Sequence, residues 1–319
     1  MLNYCRIDLT HFGGVDGLQL TRHPKPALAA GQVLLNIHYS GLNPIDAKTR
    51  AGLGWAAQQN ADKLPWVPGY DAAGQITAVG EGVDEAWLGK PVCGMLGFPL
   101  QGGCYSSMRS TDLNELLEVP KGVHLAQAAA LPLAGLTAHQ AVFEHGQAQS
   151  GERVVILGAS GGVGHIAVQL AVAAGCEVIA VASARRKPLL QRLGAAQIYD
   201  YNSNWLADVS ACADLLLDFA GGDFGKAALA SVKSKGRVVT LPTVTADSVK
   251  QAACEADLDA TGMLVHQDVD ALQHLLQLVA AQKLTIEVES CYPAGSVADA
   301  HQHLEQGHVC GKLVLNWCQ

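Results

Sequence analysis

The chain has 319 residues, of which 49% are hydrophobic and 16% charged, and its formal net charge is −8. That length allows two domains with cores of their own, and that apolar share excludes a disordered chain. The acidic balance excludes a nucleic-acid surface, which needs a basic face; the cations are scattered apart from Arg185-Arg186-Lys187.

The opening MLNYCRIDLTHFGG carries acid and no long apolar run, unlike a secretory signal. The most apolar stretch, 154–182, is broken by glycines and by Glu177, so no membrane span is expected. Nine cysteines occur without a Cys-x-x-Cys pair, which points away from zinc ribbons and redox dithiols and towards reduced thiols. The expectation is a soluble, cytoplasmic protein.

In chain order, residues 1 to 120 or so show short β-rich runs between turns, such as VLLNIHYSG (33–41) and GQITAVGEG (74–82). This pattern predicts an antiparallel, barrel-like domain. The glycine-rich stretch VPGYDAAGQITAVG (67–80) belongs to it, because a strand and not a helix follows Gly69 and Gly74. From 123 to 261 apolar strands alternate with helices, the mark of a parallel sheet. Strand RVVIL (153–157) leads through GASGGVG (158–164) into helix HIAVQLAVAAG (165–175). Strand EVIAVA (177–182), helix RRKPLLQRLG and strands QIYDY, DLLLDFA (214–220) and RVVTL (237–241) follow. Beyond 262 come a strand MLVH, an amphipathic helix VDALQHLLQLVAAQ, a helix at 296–306 and a last strand KLVLNW.

The loop reads Ala159-x-Gly161-x-x-Gly164 between a strand and a helix, the context in which such spacing binds a dinucleotide. Ser160, Gly161, Gly162 and Val163 would face the pyrophosphate, with free N–H groups and the positive end of the helix behind them. The competing reading is a glycine turn with no ligand. An NAD site wants an acid at the end of the second strand, about 20 residues past the loop. The chain has VASARRK there (181–187). Cations at a helix start oppose the macrodipole unless an anion joins them, so Ser183, Arg185 and Arg186 point to the 2′-phosphate of NADP. The alternative is a solvated basic helix start. Phe219 and Ala220, and Leu241 and Pro242, follow strand ends where ligands bind in such sheets.

The motifs GLNPIDAKTRAG (41–52), VPGYDAAGQITAVGEGV (67–83), LPLAGLTAHQAV (131–142), GASGGVGHIAVQLA (158–171), LGAAQIYDY (193–201) and GKLVL (311–315) run across nearly the whole chain. Together they resemble the medium-chain dehydrogenases/reductases, most closely the zinc-free quinone oxidoreductase branch. The resemblance implies an α/β fold, a doubly wound parallel (Rossmann) sheet inserted into a GroES-like β-barrel domain. The expected boundaries are 1–122 with 262–319 for the barrel domain and 123–261 for the NADP-binding domain. It implies Thr137 near the phosphates or nicotinamide ribose, and Tyr201 near the adenosine end unless it merely caps its strand. It also implies a homodimer, with GMLVH (262–266) as the candidate edge.

In zinc-dependent relatives a Gly-His-Glu triplet supplies a zinc-binding His where this chain has Gly69-Tyr70-Asp71. The cysteine ligand aligns with Asn43, and the third ligand falls near Leu133. None of these binds zinc in the usual way and the four-cysteine lobe is missing, so no metal is expected. His301, His303, His308 and Cys310 are not expected to hold one either, because helical residues two apart do not face each other.

Without a Lewis acid, hydride transfer favours an acceptor that spreads the developing charge, a quinone or another conjugated carbonyl. Catalytic candidates are Asn43, Asp46 and Tyr70. Asn43 can donate to a carbonyl or to the nicotinamide ribose, or simply form the turn before Pro44. Asp46 can line the pocket or cap a short helix, Lys48 can reach the pocket or stay solvated, and Tyr70 can face substrate or bond to backbone. Trp55 stands in the region where relatives often carry an active-site tyrosine. Lys312 reads as structural. The expectation is an NADPH-dependent, zinc-independent reductase of quinones or conjugated carbonyls, with solvent as proton source. An enone or enal double-bond reductase and a non-catalytic NADPH-binding protein are its rivals, and a zinc alcohol dehydrogenase a distant third.

Overall fold

The computed structural model describes residues 3–318. They form two compact units, one running to Leu133 and resuming at Gln267, the other spanning Ala134–His266.

The second unit is the parallel sheet. Its six strands lie in the order Gln197–Asp200, Glu177–Ala182, Arg153–Leu157, Ala213–Asp218, Val232–Thr240, Asp259–Gly262. All the pairings are parallel. Strand order reverses beside Arg153–Leu157, as in a doubly wound dinucleotide fold. Apolar runs such as RVVIL and EVIAVA form the central strands because both of their faces are covered. Val155, Leu157, Ile179, Val181, Leu216 and Val238 are fully buried in one core with Trp205.

One strand differs from expectation. The edge strand is Asp259–Gly262, and MLVH after it is not a strand. Pairing with the neighbour ends at Thr240↔Gly262. Beyond it the Gln140 side chain takes over, accepting from the His266 N–H and donating to its carbonyl at 3.1 and 2.9 Å. The backbone polar groups at His266 are thus satisfied without a strand neighbour.

The first unit carries a seven-stranded sheet. Its order is Val288–Pro293, Lys312–Asn316, Gln32–Gly41, Asp71–Val79, Pro91–Met95, Leu117–Glu118, with Met108–Asp112 pairing onto Gln32–Gly41. Pairing is antiparallel as expected, except that Val288–Pro293 runs parallel to Lys312–Asn316. Strand Gln32–Gly41 shares one edge between two partners, pairing residues 32–36 with Met108–Asp112 and residues 39–41 with Lys312–Asn316. Val33, Leu35 and Ile37 alternate into a core with Ala72, Ile76, Val92, Leu96 and Leu116. Gly74 sits where this strand crosses Asp71–Val79 closely: a Cβ there would meet the Asn36 carbonyl oxygen at 1.9 Å. That contact explains a glycine inside a strand, with no phosphate involved.

Candidate functional site

In the parallel-sheet unit the expected cofactor residues that follow strands leave from one end of the sheet. Leu157 and Val181, Ala182 and Asp200, and Leu157, Asp218 and Thr240 are register partners, so the loops after these strands leave from the same carboxyl edge. Ser160, Gly161, Gly162 and Val163 are half-buried there, ahead of helix Gly164–Ala173. A Cβ on Gly164 would lie 2.2 Å from the Gly158 carbonyl oxygen and 2.8 Å from Ala159 Cα, so the loop and the helix start meet as closely as backbone allows. This cradle, with backbone N–H groups at its rim, fits a pyrophosphate.

Ser183 precedes the single turn Ala184–Arg186, where Arg185 is exposed and Arg186 half-buried. Tyr201 is 39% exposed and meets Phe224 edge-on at 6.5 Å. Thr137 is buried within helix Pro132–His139.

Phe219, Ala220, Leu241 and Pro242 are organised by Asp218, which sequence reasoning missed. Its buried carboxylate accepts from the Ala220 and Gly221 N–H groups at 3.0 and 2.7 Å and from the Thr240 hydroxyl at 2.8 Å. Its own carbonyl accepts from Leu241 N–H at 3.0 Å. One residue therefore ties together two strand ends and both following loops. The available signal was an acid closing the apolar run LLLDF. A charge so placed needs fixed donors.

In the other unit, Asn43, Asp46 and Asp71 form one buried network with Lys312, Tyr105 and His301, and all six are at most 3% exposed. Pro44 opens helix Pro44–Arg50, and its fixed φ suits the first helical position. This makes Asn43 the N-cap, and Asp46 is the third helical residue rather than the cap. Asp46 Oδ2 accepts from the Asn43 N–H at 2.8 Å and from the Tyr105 hydroxyl at 3.1 Å. Tyr105 also meets His301 Nε2 at 3.2 Å. Asp46 Oδ1 and His301 Nδ1 are buried without a hydrogen-bond partner among the described residues.

The Asn43 side chain is held at both ends. Its Nδ2 donates to Asp71 Oδ2 at 2.8 Å, and its Oδ1 accepts from Lys312 Nζ at 2.5 Å. Lys312 also donates to the Leu42 carbonyl at 2.7 Å and lies 3.9 Å from Asp71 Oδ2. Asp71 Oδ1 accepts from the Leu133 N–H at 2.9 Å. Lys312, expected from sequence to be structural, reaches the candidate loop directly. No sequence signal joined the two, 269 residues apart.

Burial lifts the Asp46 carboxyl to about 7, opposed first by the Asn43 N–H and reinforced by the nearby Asp71. Burial lifts Asp71 to about 6, with Lys312 and Asn43 opposing. Burial pulls Lys312 down while Asp71 and Asp46 pull it up. His301 falls to about 3, through burial and then the Arg50 charge.

Tyr70 takes the second of its two readings. It is fully buried, its hydroxyl donates to the Pro99 carbonyl at 3.0 Å, and its ring meets Phe98 edge-on. Lys48 is half-buried rather than fully solvated, and burial lowers its pKa. Of the C-terminal histidines, His301 faces Tyr105 whereas His303 meets Tyr292 at 2.8 Å and Glu289 at 3.5 Å. No helix among the described residues is long and apolar enough to cross a membrane.

Comparison with known proteins places two family models on the chain: an alcohol dehydrogenase GroES-like domain over residues 29–148 and a zinc-binding dehydrogenase domain over residues 193–315. An NADPH-dependent alkenal/one oxidoreductase of Arabidopsis thaliana is 31% identical over 95% of this chain and 77% of that protein. A 2-methylene-furan-3-one reductase of Solanum lycopersicum is 32% identical over 96% of this chain and 77% of that protein. The structure of a quinone oxidoreductase from Coxiella burnetii superimposes with a TM-score of 0.94 at 35% identity, covering 99% of both chains.

Proposed function

Because the chain belongs to the medium-chain dehydrogenases/reductases, among their quinone-oxidoreductase-like members, we propose that it is an NADPH-dependent, zinc-independent reductase of quinones or other conjugated carbonyls. It is an oxidoreductase using a nicotinamide cofactor; the phosphate on that cofactor, the missing metal and the acceptor class are the proposed part. The observation that carries the reading is the closed Lys312–Asn43–Asp71 group. A buried ammonium already stands beside Asn43, and a second cation there would meet it in a poorly screened interior. Tyr70 spends its hydroxyl on backbone, and Leu133 offers no side-chain donor.

Bound NADPH supplies the hydride. The chain's own contribution is to hold the pyrophosphate on the Ser160–Val163 loop and the 2′-phosphate on Ser183, Arg185 and Arg186. Thr137, Tyr201, Phe219, Ala220, Leu241 and Pro242 are assigned to the rest of the cofactor. Asn43 offers a hydrogen bond to a carbonyl or ribose oxygen, with Asp46 behind it as a positioning group. Tyr70 is withdrawn as a group that touches substrate. Hydrogen-bond donors suffice where the acceptor delocalises charge, and solvent then supplies the proton.

Reduction of an enone or enal double bond is the second reading. It is favoured by the names of the two plant relatives, which describe alkenal/one and 2-methylene-furan-3-one reduction. The same chemistry serves both, and a panel of quinones and enones followed by loss of NADPH absorbance separates them. NADH run in parallel tests the phosphate assignment: equal rates with both cofactors would remove it.

A homodimer through the expected edge GMLVH (262–266) is part of the proposal; its support is that Asp259–Gly262 is the outer strand of its sheet and that Leu264, just beyond it, is 47% exposed. Light scattering on the purified chain tests this; a monomer mass would reject it. Nine free cysteines, four of them buried or half-exposed within strands or loops of the first unit, suit a reducing compartment such as the cytoplasm.

A further inference from the structure

An amide can face a ligand with either end, as donor or as acceptor. At Asn43 the neighbours leave no choice. An ammonium has only donors, so Lys312 can meet only Oδ1. An ionised carboxylate has only acceptors, so Asp71 Oδ2 can meet only Nδ2. The orientation of this amide is therefore compelled by its partners' chemistry, which is how amide ends are assigned.

The partners are themselves pinned. The Leu42 carbonyl holds the ammonium at 2.7 Å, and the Leu133 N–H holds the far oxygen of Asp71 at 2.9 Å. Asp46 consumes the backbone N–H of Asn43. What remains is the second hydrogen on Nδ2, the one donor of Asn43 with no partner among the described residues. Lys312 occupies the oxygen end, so any group that reaches this side chain would meet a donor.

We propose that Lys312 and Asp71 are positioning residues that turn Asn43 into a hydrogen-bond donor towards the bound ligand, which must present an acceptor oxygen. That oxygen is the carbonyl of the substrate or a hydroxyl of the cofactor ribose. The inference rests on the reductase reading for the ligand's identity, but not for the orientation of the amide.

The test is a double-mutant cycle with Asn43→Ala, Lys312→Met and the pair, measuring kcat and KM separately for NADPH and for the acceptor. Each single change is expected to lower kcat/KM by about tenfold, the scale of one hydrogen bond to a ligand. The pair should lose no more than either single change, because Lys312 acts through Asn43. A loss confined to the acceptor identifies the carbonyl; a rise in KM for NADPH identifies the ribose. Additive losses, or wild-type kinetics in Asn43→Ala, would overturn the proposal. A purely structural lysine would lower melting temperature without this coupling. If Lys312→Met does not fold, Asp71→Asn takes its place in the cycle with the same expectation.

If the unmodified protein turns over no quinone or enone, the reductase reading falls on that result alone. The same cycle is then read on NADPH affinity by fluorescence titration, where non-additive weakening supports the positioning role and unchanged affinity in Asn43→Ala rejects it.

Discussion

The Tyr105 hydroxyl donates to Asp46 Oδ2 across 3.1 Å, with both side chains wholly out of water. Burial raises this carboxyl from 3.8 to about 7, so between those values the folded chain keeps a proton that the unfolded chain has released. The stability owed to Asp46 is therefore full below 3.8 and is lost as pH rises through about 7. His301, on the other side of Tyr105, works in the opposite sense. Its ring stays neutral down to about 3 when folded, so its contribution is full above 6.5 and is lost as pH falls towards 3. Asp46→Asn keeps an acceptor for Tyr105 and the Asn43 N–H and removes the titration. Urea unfolding at about pH 5 and about pH 8 should show the variant gaining on the parent as pH rises. A constant difference between them would show that Asp46 ionises alike in both states.

Arg185 and Arg186 stand where the second parallel strand ends, without an acid between Ser183 and Lys187. Replacing both by serine should raise KM for NADPH about tenfold or more, since each charge-assisted contact to phosphate contributes about 1.5–3 kcal/mol. KM for NADH should hardly move. Parallel initial rates with the two cofactors measure this directly, and an equal change in both would assign the arginines to something other than the 2′-phosphate.

The dinucleotide half was legible because its signals are local. Strand, glycine loop and helix are consecutive, so the run from strand Arg153–Leu157 through the glycine loop into helix Gly164–Ala173 was readable from spacing alone. The barrel half hides its site in long-range contacts. Tyr105 and His301 are 196 residues apart, and Asn43 and Lys312 are 269 apart, so no window of sequence contains either pair. An acid near a helix start commonly caps it, one of the two readings open for Asp46; Pro44 at the first helical position puts the cap at Asn43 instead. MLVH was read as a strand from its composition, but the sheet partner ended at Thr240 and the side chain of Gln140 took the backbone instead.

Thr240 gives Asp218 the only side-chain hydrogen bond that its carboxylate receives among the described residues. Thr240→Val keeps the volume and leaves Asp218 Oδ2 buried with one donor fewer. The expected cost is about 1–3 kcal/mol, the penalty of an unsatisfied buried group. Because Asp218 also holds the Ala220 and Gly221 N–H groups, NADPH affinity should weaken with stability. Denaturant midpoints and fluorescence titration on one preparation test both; a stable variant with normal affinity would show that backbone donors alone anchor the loop.

Gly164 has no room for a methyl group. Its Cβ would stand 2.2 Å from the Gly158 carbonyl oxygen and 2.8 Å from Ala159 Cα, both backbone atoms that cannot swing aside as a side chain would. Helix propensity alone would make Gly164→Ala favourable by about 1 kcal/mol, so the two effects oppose each other. Overpacking of this kind costs about 1–3 kcal/mol, and relief comes only by moving the loop off the helix start. That movement carries the Ser160–Val163 N–H groups away from where a pyrophosphate would sit. Gly164→Ala should accordingly fall in NADPH affinity by about tenfold or more while its melting temperature changes by only a few degrees, the propensity gain offsetting part of the strain. Titration of NADPH fluorescence beside a thermal melt separates the two terms. Unchanged affinity would place the cofactor phosphates away from this loop.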